Sequence, residues 1–337
     1  DESIFQPLWD PDGSIYFVSD RSGWWNIYRH SNNQTTCILE KQAEFGLPQW
    51  VFGMSKYSVL NSGDLVASYG DSSGAHLIRI DVKQGSFREI KTPYTNIDQV
   101  RGSKSRIAFI GHTDSQPSEV VTMDLDLNTS RTVRKAAEID IDKAFISKAR
   151  QISFKTAPDE FTYAWYYAPR NPDFIAPPEE RPPLIVLSHG GPTGNSSGTF
   201  NLAIQYWTTR GFAVVDVNYS GSTGYGRNYR ERLKGNWGIR DVHDCATAAN
   251  YLADEGWVDR ERLIIKGGSA GGYTTLAALT FLNVFKAGAS YYGIGDLNLL
   301  TQDTHKFESR YLDRLVGPYP EEKQLYFDRS PLNLRIS

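Results

Sequence analysis

Cysteine is scarce in this chain of 337 residues: Cys37 and Cys245 are the only two. That excludes a disulfide framework and permits a reducing compartment. No apolar run approaches the ~18 residues needed to cross a membrane. Net charge is −3, so the basic footprint that nucleic-acid binding demands is missing. No His/Cys cluster has metal-ligand spacing, and neither metal nor other cofactor is expected. No signal peptide is visible, and a cytoplasmic location is the expectation. The first residue is Asp1 rather than Met, which fits a chain start further upstream. Apolar residues make up 40% of the chain, ample for real cores, and the length allows two domains.

The first ~150 residues are rich in aromatic and β-branched residues, with frequent turn signals and little helical periodicity. Ser14-Ile15-Tyr16-Phe17-Val18, a Ser22-Gly23 turn and Trp25-Asn26-Ile27-Tyr28 form one unit. Leu65 to Tyr69, a Ser72-Ser73-Gly74 turn and His76 to Asp81 form a second. Arg106 to Ile110 and Glu119 to Asp124 form a third. Ile27, Ile78 and Val121 occupy equivalent places, 51 and 43 residues apart. Short strands repeating at ~40–50 residues are the signature of propeller blades, about three of them, where a closed ring needs ~4–8. A β-sandwich is the alternative. Residues 1–150 are therefore read as a partial β-propeller.

Ala136 to Arg150 reads as a linker, and from residue 151 the pattern changes. Ile152 to Lys155 and Tyr163 to Tyr167 look like a strand pair, and Pro169 to Pro183 is a proline-rich surface connection. Leu184 to Leu187 and Phe212 to Val217 are apolar strands around a helical stretch, Leu202 to Thr209. Val242 to Leu252 reads as a helix with one apolar face, and Lys286 to Tyr291 as a further strand. Alternating buried strands and helices imply a doubly wound, mostly parallel sheet. Residues 151–337 are read as an α/β-hydrolase domain lacking its C-terminal strands.

The chemistry is concentrated in Gly267-Gly268-Ser269-Ala270-Gly271-Gly272-Tyr273. An apolar strand, a glycine-flanked serine and a helix make a nucleophile elbow, which lifts the serine hydroxyl above the sheet. Upstream, His189-Gly190-Gly191-Pro192 follows the strand ending at Leu187. In this fold that loop gives one oxyanion N–H, and the residue after the nucleophile, here Ala270, gives the other. Each such donor is worth ~3–4 kcal/mol in the transition state. A serine also needs a histidine base and an acid to orient it. One histidine, His305, follows Ser269, with Asp296 and Asp303 as acids before it. Asp296 and His305 are too close in sequence to span the strand-helix-strand step that separates such partners. His305 is therefore expected in local hydrogen bonds or on the cleft wall. His189, Tyr219 and Tyr273 are further candidates to line the cleft. Asn218 to Gly226 lacks the order of a phosphate loop and reads as a rigid loop flanking the site. Asp241 and Asp244 invite a metal or acid/base reading, but capping of the helix they begin is favoured.

Together with Asn218-Tyr219-Ser220-Gly221-Ser222-Thr223-Gly224-Tyr225-Gly226-Arg227, these two motifs resemble the prolyl oligopeptidase family of serine peptidases. Thr304-His305-Lys306-Phe307-Glu308-Ser309-Arg310-Tyr311 and Gly317-Pro318-Tyr319-Pro320 point to its acylaminoacyl-peptidase/dipeptidyl-aminopeptidase-like branch. The resemblance covers Gln151 to Ser337 in residues and the earlier part in pattern only. It implies a propeller that restricts the cleft to short peptides. It implies Ser269 as nucleophile, Ala270 and the Gly190-Gly191 turn as oxyanion donors, and a triad Asp and His beyond Ser337. His189 stands where several relatives carry a Tyr hydroxyl, leaving the second donor to backbone or to His189 itself. Two other readings stay open: a carboxylesterase of the same fold, and a non-catalytic hydrolase-like binding protein. A homo-oligomer is also left open.

Overall fold

Three sheets of the computed structural model, which describes residues 2–71 and 74–333, share one four-strand plan. The first runs β1 (Ile4–Trp9), β2 (Ile15–Ser19), β3 (Asn26–Ser31) and β4 (Gln34–Cys37). The second runs β5 (Tyr57–Val59), β6 (Leu65–Asp71), β7 (Gly74–Asp81) and β8 (Ser86–Ile90). The third runs β9 (Asn96–Ser103), β10 (Arg106–His112), β11 (Glu119–Asp124) and β12 (Thr129–Lys135). Each is an antiparallel meander in chain order. The Ser72-Ser73 part of the expected second-unit turn lies outside the described residues.

Ile27, Ile78 and Val121 all fall in the third strand of their sheet, opposite Val18, Ala67 and Phe109. All six are at most 2% exposed. Strand alternation explains how the sheets stack. Leu65, Ala67, Ile78 and Ile80 of the second sheet join the apolar cluster shared with the first. Val66, Leu77 and Ile90 join the cluster shared with the third. The middle sheet is thus covered on both faces, as a propeller blade is and a two-sheet sandwich is not. The outermost strand β12 (Thr-Ser-Arg-Thr-Val-Arg-Lys) has one apolar residue and is exposed throughout.

The chain divides into two compact units. The first holds the chain through Ile141 with Thr199–Asn201 and Thr223–Asn228; the second holds the remainder. Within the expected linker, Lys143–Phe145 forms one 3-10 turn and Arg150 already opens a strand.

The second unit is built on β13 (Arg150–Ala157), β14 (Glu160–Tyr167), β15 (Leu184–Ser188), β16 (Ala213–Asn218), β17 (Leu263–Gly268) and β18 (Ala287–Tyr291). Their order in the sheet is β13-β14-β16-β15-β17-β18. The β13–β14 and β14–β16 pairings are antiparallel, and the others are parallel. The helices from residue 202 onward are α1 (Leu202–Thr208), α2 (Gly226–Glu231), α3 (Arg240–Asp254), α4 (Ala270–Phe281), α5 (Leu297–Gln302), α6 (Tyr311–Leu315) and α7 (Lys323–Asp328). Central strands buried on both faces need an apolar residue at every position. Leu184 and Val186 accordingly pack with Val242, Cys245 and Ala249 of α3, while Ile185 packs with Ile204 of α1. This is the α/β-hydrolase arrangement. Because β15 and β17 are parallel neighbours, with Ser188 opposite Gly267, the loops leaving their carboxyl ends are neighbours too. Among the described residues no helix is long and apolar enough to cross a membrane.

Candidate active site

Ser269 joins β17 to α4 with φ 55° and ψ −122°, a left-handed conformation rare for a residue with a side chain. Its N–H donates to the Tyr291 carbonyl at 3.0 Å, which fixes the bend against the next strand. The residue is exposed, whereas Ala270 behind it is 3% exposed. Ala270 is the first residue of α4, so no intrahelical carbonyl can take its N–H. That end of the helix also carries partial positive charge. The bend depends on close approach: a side chain on Gly271 would run into the Ser188 and His189 carbonyls.

The His189-Gly190-Gly191-Pro192 turn lies beside the elbow. A Cβ placed on Gly190 would stand 3.6 Å from Ser269 Cβ and 3.5 Å from the Gly268 carbonyl. Gly191 has φ +126°, and a side chain there would also meet Thr193 N at 2.8 Å. The positive φ and the close contact both require glycine at position 191. The Tyr219 hydroxyl donates to the carbonyls of His189 and Pro192, at 2.8 and 3.3 Å, and so ties both ends of the turn.

His189 stacks on Tyr219, with ring centroids 4.3 Å apart and planes at 15°. Its Nδ1 lies 2.9 Å from the Gly190 carbonyl and its Nε2 2.7 Å from Ser222 Oγ. The residue keeps some accessible surface, but enclosure of the ring pushes its pKa down to about 4, so it is neutral near pH 7. A carbonyl can only accept, so Nδ1 carries the hydrogen and Nε2 accepts from Ser222. Both ring nitrogens are engaged, which leaves His189 no donor to offer a substrate.

A cavity of about 250 Å³ opens at Ser269, Ala270 and Gly191. Trp237, Tyr292, Ile294, Leu300, Tyr311 and Leu312 give it an apolar, aromatic wall, and Glu308 adds a carboxylate. The Tyr311 hydroxyl donates to Thr193 Oγ1 at 2.5 Å, tying α6 to the segment after the glycine turn. Burial pushes that phenol up to about 12.

None of the four residues considered for the cleft lines the cavity at Ser269. Tyr219 and Tyr273 are fully buried; the first works beneath the turn, and the hydroxyl of the second donates to the Arg329 carbonyl at 2.9 Å. His189 braces the turn from behind. His305 is exposed and 3.8 Å from Glu308; its neighbours Thr304 and Glu308 line the cavity, and it does not. Among the described residues no histidine hydrogen-bonds Ser269.

Asp241 and Asp244 also depart from expectation. Ile239 is the N-cap of α3. Asp241 accepts from Gly238 N–H at 2.6 Å and from Thr274 Oγ1 at 2.6 Å. Asp244 accepts from Ser220 N–H at 2.7 Å. They are buried fasteners, one to α4 and one to the loop after β16. Trp237, Tyr311 and the aliphatic cavity residues were missed because, in sequence, they look like any apolar residues of a core.

The Prolyl oligopeptidase family model matches residues 198–335. A puromycin-hydrolyzing peptidase of Mycobacterium tuberculosis has a similar structure, with a TM-score of 0.95 and 39% identity over 99% of this chain and 52% of that one. Dipeptidyl aminopeptidase BIII of Pseudoxanthomonas mexicana is 31% identical over 156 residues, 44% of this chain and 23% of that protein. The acylamino-acid-releasing enzyme of Arabidopsis thaliana is 38% identical over 93 residues, 28% of this chain and 12% of that protein. The chain thus spans about half the length of the solved relative, and the two sequence matches cover less than a quarter of theirs.

Proposed function

Because the chain belongs to the prolyl oligopeptidase family, we propose that it carries the nucleophile and oxyanion half of a serine peptidase acting on short peptides. In this reading Ser269 Oγ attacks the scissile carbonyl carbon while a general base takes its proton. The N–H groups of Ala270 and Gly191 receive the oxyanion, with Gly190 keeping the turn close enough to do so. The amine leaves with a proton returned by the base, and water releases the acyl group from Ser269. The base and its orienting acid belong to this reading as groups outside the described residues. The cavity would take the side chain on the acyl side of the scissile bond. Residues 1–150 act in it as part of a propeller and 151–337 as the catalytic domain.

The observation that carries the reading is the pairing of Ser269, held at φ 55°, with a glycine turn so near that a Cβ on Gly190 would stand 3.6 Å from Ser269 Cβ. A peptidase is favoured over an esterase by the four-stranded repeats that precede the hydrolase-type sheet and by the names of the relatives. The full-length protein should form one fluorophosphonate adduct, on Ser269, and hydrolyse peptide p-nitroanilides. Ser269→Ala should abolish the adduct and lower kcat by orders of magnitude. An adduct on another residue, or turnover of short acyl esters with none of peptides, would overturn the assignment.

A further inference from the structure

Resting on the peptidase reading, we propose that Glu308 is a specificity-determining residue: its carboxylate receives a protonated amine of the substrate in the cavity at Ser269. Glu308 closes the 3-10 turn Lys306–Glu308, between α5 and α6. It borders the cavity together with Ser269 and Ala270, and among the described residues lining that space it carries the only formal charge. No described residue donates a hydrogen bond to its carboxylate. The His305 ring stands 3.8 Å away, beyond hydrogen-bond length. The arginines that follow in sequence are engaged elsewhere, Arg310 with Asp313 at 2.9 Å and Arg314 with Glu231 at 3.0 Å. The Glu308 side chain is 32% exposed, so a ligand can reach it.

The rest of the wall is aromatic and aliphatic, with Trp237, Tyr292, Tyr311 and Leu312 among its residues. A substrate group that fills the cavity drives water away from the carboxylate, which costs free energy unless the group replaces the lost hydrogen bonds. An apolar side chain replaces none and leaves the charge stranded. An ammonium or guanidinium donates to it and meets it in surroundings less polarisable than water, where the attraction is stronger. The faces of aromatic rings attract the same cation. The cavity therefore selects by charge as well as by size. Two places on a substrate present this chemistry. The α-ammonium of an N-terminal residue lies beside the scissile carbonyl, and the cation of a Lys or Arg side chain lies further out. Which of them Glu308 receives decides whether the enzyme trims amino termini or cleaves after basic residues.

The test uses the full-length protein and pairs of p-nitroanilides that differ by one charge. Phe-p-nitroanilide against its N-acetyl form isolates the α-ammonium. N-acetyl-Lys-p-nitroanilide against the N-acetyl-norleucine compound isolates the side-chain cation. In one of the two pairs the charged member should have a kcat/KM roughly 10- to 100-fold above the neutral one, the range of a hydrogen bond to a charged group. Glu308→Gln, which keeps the shape, should bring that ratio close to one, and Glu308→Lys should invert it. A ratio of two substrates cancels any change in the amount of folded enzyme, so a merely structural role would not move it. Ratios near one in both pairs for the unmodified protein overturn the proposal, as does a preference that Glu308→Gln leaves intact. If the variants fail to fold, inhibition of the unmodified protein decides. Benzylammonium should then compete with N-acetyl-Phe-p-nitroanilide at least about 10-fold more tightly than benzyl alcohol, and equal inhibition overturns the proposal. Ser269→Ala is measured alongside. Turnover that survives it defeats the peptidase reading itself, whereas turnover that depends on Ser269 and ignores substrate charge defeats only the role of Glu308.

Discussion

Asp241 of α3 accepts a hydrogen bond from Thr274 Oγ1 of α4 at 2.6 Å, with both residues fully buried. The bond clamps the helix that follows Ser269 to its neighbour. Burial pushes the Asp241 carboxyl up to about 6, despite the opposing bonds from Thr274 and Gly238. The sign of the pH effect follows. Between pH ~4 and ~6 the folded state holds a proton that the unfolded state has released, so this group's contribution to stability falls as pH rises. Asp241→Asn removes that fall. Its stability relative to the unmodified protein should rise by up to about 3 kcal/mol across this window. Urea unfolding at pH 4, 5, 6 and 7 measures it, and a flat difference would refute the account.

Lys56 and Asp98 in the first unit titrate in the opposite sense. Lys56 Nζ lies 2.7 Å from Asp98 Oδ1 and donates to the Ile97 carbonyl at 2.7 Å. Burial alone would raise the Asp98 carboxyl, but the Lys56 charge and the His112 and Lys56 hydrogen bonds outweigh it and hold it far below the usual range. The stability it contributes is present above pH ~4 and is lost as pH falls further. Lys56→Met takes from the carboxylate its nearest cation, leaving His112 and Asn96 beside it, and should cost roughly 2–4 kcal/mol, moderated because Asp98 is 27% exposed. Lys56→Met with Asp98→Leu should recover most of that cost. A double variant no more stable than the single one would show that packing, not charge, sets the loss.

Two glycines of the site should respond differently to alanine. At Gly271 the added methyl meets the Ser188 and His189 backbone, which cannot yield without moving β15. Gly271→Ala should lower stability by about 1–3 kcal/mol or more. At Gly190 the nearest atoms stand at ordinary contact distance, 3.5 and 3.6 Å, and the change should cost under about 1 kcal/mol. Thermal unfolding of both variants checks the ranking, and equal losses would contradict the packing described for the elbow.

The backbone at Ser269 stores strain that glycine would release. A side-chain-bearing residue held there costs on the order of 1–3 kcal/mol, and glycine returns about 0.5–1 of that as lost chain entropy. Ser269→Gly should therefore stabilise by roughly 1 kcal/mol, while Ser269→Ala, which keeps a Cβ, should change stability little. Chemical denaturation of the two variants separates them. Identical midpoints would mean the turn is unstrained.

Local physics made much of this molecule legible in its residues. The period-2 alternation through Leu65, Val66 and Ala67 assigns neighbouring side chains to opposite faces of a strand, and no distant contact is needed to read it. The same holds for Ser269, whose flanking glycines and adjoining apolar strand announce a bend within a few residues, and for the Gly190-Gly191 turn. Tertiary structure decided what lies between these pieces. Tyr219 and Tyr273 carry the chemistry of a cleft wall, yet they are buried because Pro192 and Arg329 supply hydrogen-bond acceptors from elsewhere in the chain. The cavity collects Trp237, Tyr292, Leu300 and Tyr311 from separate segments, and apolar residues bear no mark of which core or pocket they will join. In sequence, the second oxyanion donor stayed open between backbone and His189. Only the folded chain, by bringing Ser222 to one ring nitrogen and the Gly190 carbonyl to the other, turns it into a brace. Hydrogen-bond partners far apart in sequence are chosen by where strands lie beside one another, and that neighbourhood exists only once the sheet has formed.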